Sequence, residues 1–357
     1  MNSIQAVVLA AGRSKRFNTG TSKLLEKICG KEMVLYPLDS LYELSIKGTL
    51  VVGYKKEEVI ERIQQRYGSH FTFIEQVTQQ GSGHAIMCSK DTWHSENIMI
   101  INGDSPLITA SLLQKLIAKH IGTNAAMTFV TSYNIDPMIG SYGRVIETDG
   151  IMEIVEAADF KGDQSAMYPI NAGIYLLKRS FLERFIQLIP QSPVTKEYYF
   201  TEIVRLGSQA GEIINTIEVP FDSIRGVNTL KELWIAEQIK RSELINHWME
   251  KGVRFVAAQT VHLDVDVQLS QGCVIESCVQ LKGTTIVGSN TTIESFSYLQ
   301  NSIIGENCHI GAHSTLKSTS IGHETIITPY SYIHQNECEQ RIKHSHTIEL
   351  TQPTNPL

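Results

Sequence analysis

The sequence predicts two folds in succession, an α/β layered domain and then a hexapeptide-repeat parallel β-helix. Two observations carry this. Up to about residue 230, short apolar β-branched runs alternate with stretches of helical spacing, the pattern of a sheet covered by helices. Beyond residue 252, aliphatic residues recur at every sixth position, a period that marks stacked repeats. The 357 residues, 42% hydrophobic and 19% charged, provide for two such domains.

In chain order, Ala6-Val7-Val8-Leu9-Ala10 is the first expected strand. Thr49 to Val52, Asn97 to Ile101 and Ala126 to Val130 follow it, and all four read as buried parallel strands. Lys56 to Tyr67 and Ser111 to His120 carry helical spacing between them. A sheet of this kind places its site beyond the carboxyl ends of its strands. A long amphipathic helix is expected at about 228–251, with Leu230, Leu233, Trp234, Ile239, Leu244 and Trp248 on its apolar face. Asn228 or Thr229 can cap it, Gly252 can end it, and it reads as a connector packed on the first domain.

The repeat begins with Leu263, Leu269, Ile275, Leu281, Val287, Ile293 and Leu299. A five-residue step leads to Ile304, Ile310 and Leu316, and another to Ile321, Ile327 and Ile333. Small or β-branched residues often stand two positions earlier, as at Val261, Val267, Cys273, Val279 and Thr285. With three hexads to a coil, these make about four coils. The expected organisation is a first domain at 1–227, a linker helix at 228–252, a β-helix at 253–336 and a polar tail at 337–357.

Composition excludes several functions. A net charge of -6 leaves no electrostatic footprint for nucleic acid or an anionic membrane. No apolar run approaches the length of a membrane span, and Met1 to Gln5 lacks the basic start of a signal peptide. Six cysteines without a Cys-x-x-Cys pair read as reduced thiols of a cytoplasmic protein, with neither a disulfide framework nor a zinc site.

The chemistry-bearing stretch follows the first strand. Leu9-Ala10-Ala11-Gly12-Arg13-Ser14-Lys15-Arg16-Phe17 is a small-residue turn, and Ser22-Lys23-Leu24-Leu25 comes soon after. Such a turn lets backbone N–H groups approach a phosphate, and Arg16 and Lys23 can neutralise its charge. It is neither a Gly-x-Gly-x-x-Gly fingerprint nor a Walker A loop. Taken alone, it is also what a solvated loop looks like.

Leu9 to Phe17 with Lys23 resembles the signature loop of sugar-1-phosphate nucleotidyltransferases. Further motifs of that family occur in order. Gln76 to Ala85 resembles the uracil-reading segment of the bacterial N-acetylglucosamine-1-phosphate uridylyltransferases, and Asn102-Gly103-Asp104-Ser105-Pro106-Leu107 resembles their metal-binding strand end. Tyr142-Gly143-Arg144, Ile154-Val155-Glu156, Ile170-Asn171-Ala172-Gly173 and Glu197-Tyr198-Tyr199 with Thr201 resemble the sugar-side motifs. Gly226-Val227-Asn228 resembles the second metal motif. The resemblance covers about residues 4–335 and implies a Rossmann-like nucleotidyltransferase domain followed by a short left-handed β-helix.

It also implies roles. Leu9, Ala10, Ala11, Gly12, Arg16, Lys23, Gln76, Gly81, Ser82 and Gly103 would hold a nucleotide. Gly143, Glu156, Asn171, Tyr199, Thr201 and Asn228 would hold the sugar, and Asp104 with Asn228 would hold Mg²⁺. Arg16, Lys23 and Asp104 would be catalytic. A hard cation that keeps much of its water needs no more than one carboxylate and an amide oxygen. The implied reaction joins UTP and a sugar 1-phosphate, foremost N-acetylglucosamine 1-phosphate, into a UDP-sugar for cell-wall precursors. The incoming phosphate is already an anion, so positioning and charge neutralisation suffice without a general base.

Ser22 stands where the family usually has Pro, and Phe17 where it has Met. Ala158 replaces the usual Lys beside Glu156, which bears on sugar identity. Bifunctional members carry further coils with an acetyl-CoA site and a catalytic His, so acetyl transfer is expected to be absent here. His309 and His313 are read as β-helix residues rather than metal ligands. A trimer formed through the β-helix is the expected assembly. Two other readings stay open: a non-catalytic sugar-nucleotide-binding or assembly subunit, and a nucleotidyltransferase for another sugar 1-phosphate or nucleoside triphosphate. A third, acyl transfer through the β-helix, is disfavoured.

Overall fold

The apolar run near the start of the chain becomes the middle of a sheet. β1 (Ile4–Ala10) lies between β4 (Gly48–Val52) and β6 (Asn97–Asn102), parallel to both. Its side chains alternate between two cores: Ala6, Val8 and Ala10 face one, while Val7 faces the other. The first core takes α1 (Leu35–Glu43), α2 (Lys56–Tyr67) and α4 (Ala110–Thr123). The second takes α3 (Ser82–Cys88), α5 (Arg179–Phe185) and α6 (Glu202–Gln209). Helices on both faces explain why the strands are apolar throughout. The computed structural model describes residues 3–12, 17, 21–133, 142–163 and 166–334.

The four expected strands run in one direction, and a further strand between two of them runs against it. β5 (Phe71–Glu75) extends the sheet beyond β4, and β11 (Ile214–Glu218) pairs in parallel with β7 (Met127–Ser132) at the other side. Between β6 and β7 runs β10 (Ile170–Lys178), antiparallel to both. Eight of its nine residues are buried, so its composition matches that of a parallel neighbour and does not disclose direction. Its register slips between Asn171 and Tyr175, around Gly173 at φ +71. A Cβ at Gly173 would lie 2.3 Å from Asn102 Nδ2, so only glycine lets the bulge pass that side chain. β8 (Arg144–Thr148) and β9 (Ile151–Val155) form a hairpin turned by Asp149 and Gly150, both at positive φ.

The chain divides into two compact units, one with Glu32–Ala236 and the residues up to Glu26, the other with Lys27–Lys31 and the residues from Glu237 onward. Helix α7 (Leu230–Glu250) contributes to both. Thr229 and Glu232 begin it as a capping box: Glu232 N donates to Thr229 Oγ1 at 3.2 Å, and Asn228 N donates to Glu232 Oε2 at 2.8 Å. Gly252, at φ +86, ends it. Its apolar face differs from the expected one. Leu230 and Trp234 are exposed, and the buried positions include Ala236, Arg241 and Ile245. Arg241 is tolerated there because Glu237 accepts from its guanidinium at 3.1 Å, one turn away.

In the second unit the hexads fall into three parallel columns. Phe255, Ile275, Ile293, Ile310 and Ile327 form one inward row. Leu263, Leu281, Leu299, Leu316 and Ile333 form the next, and Leu269, Val287, Ile304 and Ile321 the third. Phe255 starts its column 20 residues before Ile275, off the repeat, because a short 3-10 turn at Ala258–Thr260 intervenes. From Gly272 onward, each turn of the repeat between columns holds one residue at positive φ, among them Asn290, Phe296 and Asn301. The two five-residue steps lose their residue at such corners, next to Asn301 and Ser318, so the strands stay in register. Residues 27–31 belong to this unit: Val265 N donates to Cys29 O at 2.9 Å, and a Cβ at Gly30 would collide with Asp264.

Two of the expected β-helix histidines have structural partners. His309 Nε2 meets Glu294 Oε1 at 2.9 Å. His313 is sandwiched between Phe296 and Tyr330, with centroids 4.9 and 5.0 Å away and planes within 4° of parallel. Such stacking offsets the strain of three side chains at positive φ. His313→Ala removes both ring contacts and keeps the strained backbone. It should destabilise the β-helix by about 1–3 kcal/mol in urea unfolding, and an unchanged midpoint would deny the stack any role.

A buried histidine in the first unit gives a second test. His120 Nδ1 lies 3.0 Å from Thr128 Oγ1, and its Nε2 lies 3.2 Å from Asn97 Oδ1. Burial, with help from the Lys178 charge, pushes its pKa down from 6.5 to about 4. The unfolded chain therefore takes up this proton at a pH where the folded chain refuses it. Stability should fall as pH drops from 6.5 towards 4, by on the order of 3 kcal/mol in total. His120→Gln should flatten that acid limb in unfolding measured across the same range.

Candidate functional site

Asp104, Lys23 and Asn228 come from three distant parts of the first unit and meet at one point. Asp104 follows β6 at its carboxyl end, beside the turn after β1. Lys23 opens a single 3-10 turn, Lys23–Leu25, and Asn228 sits two residues before α7. The Lys23 ammonium donates to Asp104 Oδ2 at 2.5 Å, to Asn228 Oδ1 at 2.9 Å and to Val227 O at 3.0 Å. All three of its hydrogens are thereby used. Backbone bonding fixes the meeting point: Val227 N donates to Asp104 O at 2.9 Å, and Gly226 N donates to the Tyr142 hydroxyl at 2.9 Å.

The unusual Ser22 fits this geometry. Its φ of -69° and ψ of 129° are values that proline also adopts. Phe17 is buried, so it fills an apolar position as a methionine would. Ser22 thus meets the backbone geometry that proline would, and Phe17 the apolar environment that methionine would. Arg16 lies outside the described residues.

A cleft of about 590 Å³ opens over this point, lined by Leu9 to Gly12, Lys23, Gln76, Gly81, Ser82, Asn102, Asp104 and Asn228 among others. Gly12 lines this cleft, and a Cβ there would meet no atom of the described residues within 4 Å. The loop from Gln76 to Ser82 is pinned on two sides. Gln79 Nε2 donates to Ala11 O at 2.7 Å, tying it to the glycine turn. Tyr198 N donates to Gln80 O at 2.8 Å, Gly83 N to Tyr198 O at 2.7 Å, and Phe200 N to Ser82 Oγ at 3.0 Å. A Cβ on Gly81, at φ +97, would come within 2.6 Å of Tyr198 O. Glycine is required there by close approach as well as by conformation.

A second hollow of about 260 Å³ adjoins the first, sharing Leu9, Ser82, Asn102, Asp104 and Asn228. Gly143, Glu156, Asn171 and Thr201 line it. Glu156 Oε1 accepts from the Thr201 hydroxyl at 2.7 Å, and burial raises the carboxyl pKa above its usual range. Asn171 Nδ2 donates to the Tyr175 hydroxyl at 2.6 Å, and Asn171 Oδ1 accepts from Gly173 N at 3.1 Å. One N–H of Asn171 is left for a ligand.

Two of the expected residues lie off the cavity walls. Gly103 lines neither hollow; its N–H donates to Leu9 O at 2.9 Å and so joins the end of β6 to β1. Tyr199 lines neither as well. Conversely, Asn102, Gln79, Glu197, Tyr142 and Phe200 do line them. Nothing in the types of Gln79's neighbours signals its bond to Ala11.

The oxygens of Asp104 and Asn228 are hard donors that converge on a cation, here the Lys23 ammonium. That donor set suits Mg²⁺, which binds through one or two protein oxygens, substrate phosphates and water. Among the described residues, no cluster of three or more His, Cys, Asp or Glu side chains could hold a metal on its own.

Residues 6–167 match the MobA-like NTP transferase domain, and residues 254–345 match the GMPPB C-terminal domain. The bifunctional protein GlmU of Clostridium botulinum (strain 657 / Type Ba4) is 31% identical over 333 residues, 92% of this chain and 72% of that protein. The bifunctional protein GlmU of Limosilactobacillus reuteri (strain DSM 20016) is 33% identical over 316 residues, 87% of this chain and 68% of that protein. The bifunctional protein GlmU of a Nitratiruptor species is 33% identical over 304 residues, 85% of this chain and 69% of that protein. Shared descent along both units thus accounts for the converging cation site and the stacked hexads together: the chain belongs to the GlmU family and is a sugar-1-phosphate nucleotidyltransferase.

Proposed function

We propose that the enzyme transfers UMP from UTP to N-acetylglucosamine 1-phosphate, with Mg²⁺, giving UDP-N-acetylglucosamine and pyrophosphate. One observation supports this most: Lys23, Asp104 and Asn228 converge where the two hollows join. The larger hollow suits a nucleoside triphosphate, the smaller a sugar, and the shared wall is where their phosphates would meet. A phosphate oxygen of the sugar 1-phosphate attacks the α-phosphorus of UTP. The new P–O bond forms as the bond to the β-phosphate oxygen breaks, and pyrophosphate leaves with that electron pair.

Each group has a task in this step. Lys23 neutralises charge gathering on the α-phosphate, and the N–H groups of the turn after β1 steady the triphosphate. Mg²⁺, when bound through Asp104 and Asn228, would supply further charge neutralisation and alignment. Glu156, Thr201 and Asn171 offer hydrogen-bonding partners to sugar hydroxyls and an N-acetyl group. No side chain needs to remove a proton, because the attacking phosphate is already an anion. The five described cysteines are free, in keeping with a cytoplasmic setting for the reaction. Among the described residues, no helix is long and apolar enough to cross a membrane. Ile286 and Ile303 stand side by side on the outer face of one column, exposed apolar groups that a trimer would cover.

The deciding experiment incubates the protein with UTP, Mg²⁺ and a panel of sugar 1-phosphates and follows pyrophosphate. Release with N-acetylglucosamine 1-phosphate is expected. Release only with another sugar would revise the substrate, and silence across the panel, with UDP-sugar binding in calorimetry, would favour a binding-only subunit. Asp104→Ala should reduce turnover by at least about a hundredfold while the melting temperature holds. Normal turnover in that variant would refute the role given to Asp104.

A further inference from the structure

Gln76, in the loop that lines the larger hollow, and His84, on α3, form a hydrogen-bonded pair. Gln76 follows β5, its side chain is buried, and its backbone N–H donates to Val52 O at 2.8 Å. Its Nε2 lies 3.1 Å from Gly81 O and 3.0 Å from His84 Nδ1. A carbonyl oxygen only accepts, so the amide atom facing Gly81 is the nitrogen. That nitrogen has two hydrogens, one for Gly81 and one for His84. His84 Nδ1 must then be the bare ring nitrogen, with the imidazole proton on Nε2. Cys88 Sγ stands 4.0 and 3.9 Å from the two ring nitrogens, nearly equidistant, and so does not single out Nδ1. Both Gln76 donors are spent inside the protein. What remains for a ligand in the cleft is Oε1, an acceptor.

We propose that His84 is a positioning residue that sets the nucleobase preference by holding Gln76 with its acceptor toward the base. The proposal rests on the nucleoside triphosphate reading of the larger hollow. An acceptor pairs with a ring N–H, as at N3 of uracil or thymine and N1 of guanine. It meets the bare ring nitrogen of cytosine or adenine lone pair against lone pair. The site therefore prefers keto bases to amino bases. Without the His84 acceptor, one Gln76 N–H is released and Gly81 O alone holds the amide nitrogen, so turning the amide to offer a donor to the base costs one hydrogen bond instead of two. The preference then weakens although no atom touching the base has changed.

The test measures equilibrium binding of UTP and CTP by calorimetry, with GTP and ATP as a purine pair, in the wild type, His84→Ala and His84→Asn. Asparagine Oδ1 takes the place of Nδ1 on Cγ and keeps an acceptor, whereas alanine removes it. The wild type should favour UTP over CTP, and H84A should shrink that ratio by about tenfold or more. H84N should restore most of it. A merely structural role for His84 would weaken both nucleotides alike, so an unchanged ratio in H84A overturns the proposal. A wild type that favours CTP or binds neither nucleotide, or an H84N variant no better than H84A, also overturns it. Should H84A lose its fold, His84→Phe, which fills the ring volume without an acceptor, must show the same loss of ratio. Binding is read apart from turnover. A protein that prefers UTP but releases no pyrophosphate refutes nucleotidyl transfer and leaves the role of His84 standing.

Discussion

An ammonium group held by a carboxylate, an amide oxygen and a main-chain carbonyl organises the active cleft. Lys23, Asp104 and Asn228 would each be unremarkable alone, a lysine in a loop, an aspartate after a strand, an asparagine before a helix. Joined at 2.5 and 2.9 Å, they close a circuit from the first strand to the start of the long helix. The lysine side chain is 9% exposed and the aspartate 22%, so the pair is screened less than a surface ion pair and its geometry is correspondingly firmer. The bond from Val227 N to Asp104 O means that the oxygens are placed by backbone rather than by side-chain choice. Preorganised charge of this kind is what phosphoryl-group chemistry asks of a protein.

Around that point, recognition is built by tying loops to one another. The segment from Gln76 to Ser82 is bonded to the glycine turn through Gln79 and to the residues before α6 through Tyr198 and Phe200. Those same residues lead to Thr201, which donates to Glu156. The walls of the larger and the smaller hollow are therefore parts of one hydrogen-bonded assembly. Glycine at 81 and 173 is what allows its pieces to come so close.

Much of this was legible in the sequence, for identifiable reasons. The hexads were readable because the inward residues from Leu263 onward are all aliphatic and, but for two five-residue steps, six positions apart; Leu281, Leu299 and Leu316 fall where the arithmetic puts them. The five-residue steps were readable as interruptions, though only the structure assigns them to corners. Strand β10 was not among the strands read from the sequence, and an apolar run buried on both faces carries no mark of its direction. Phe255 escaped because an inserted 3-10 turn moves it off the six-residue count. The apolar face of α7 was misjudged because Leu230 and Trp234 are apolar yet exposed, while Arg241 is charged yet buried. At the site, motif order located Lys23, Asp104 and Asn228, but Gln79 and His84 act through bonds to a main-chain oxygen and a buried amide. Such bonds depend on loop shape, which residue type alone does not encode.

The corners of the β-helix also govern how this part of the chain can change in length. Every strand contributes two or three residues, and side chains alternate between inside and outside along it. Deleting one residue within a strand would turn an aliphatic row outward, against the pairing of the coils on either side. Deleting one at a corner leaves that row untouched, as the shortened turns at Asn301 and Ser318 demonstrate. Insertions and deletions should therefore accumulate at corners among related chains, while the strands keep a fixed length. The coil behaves as a ratchet that accepts changes of length only between its teeth.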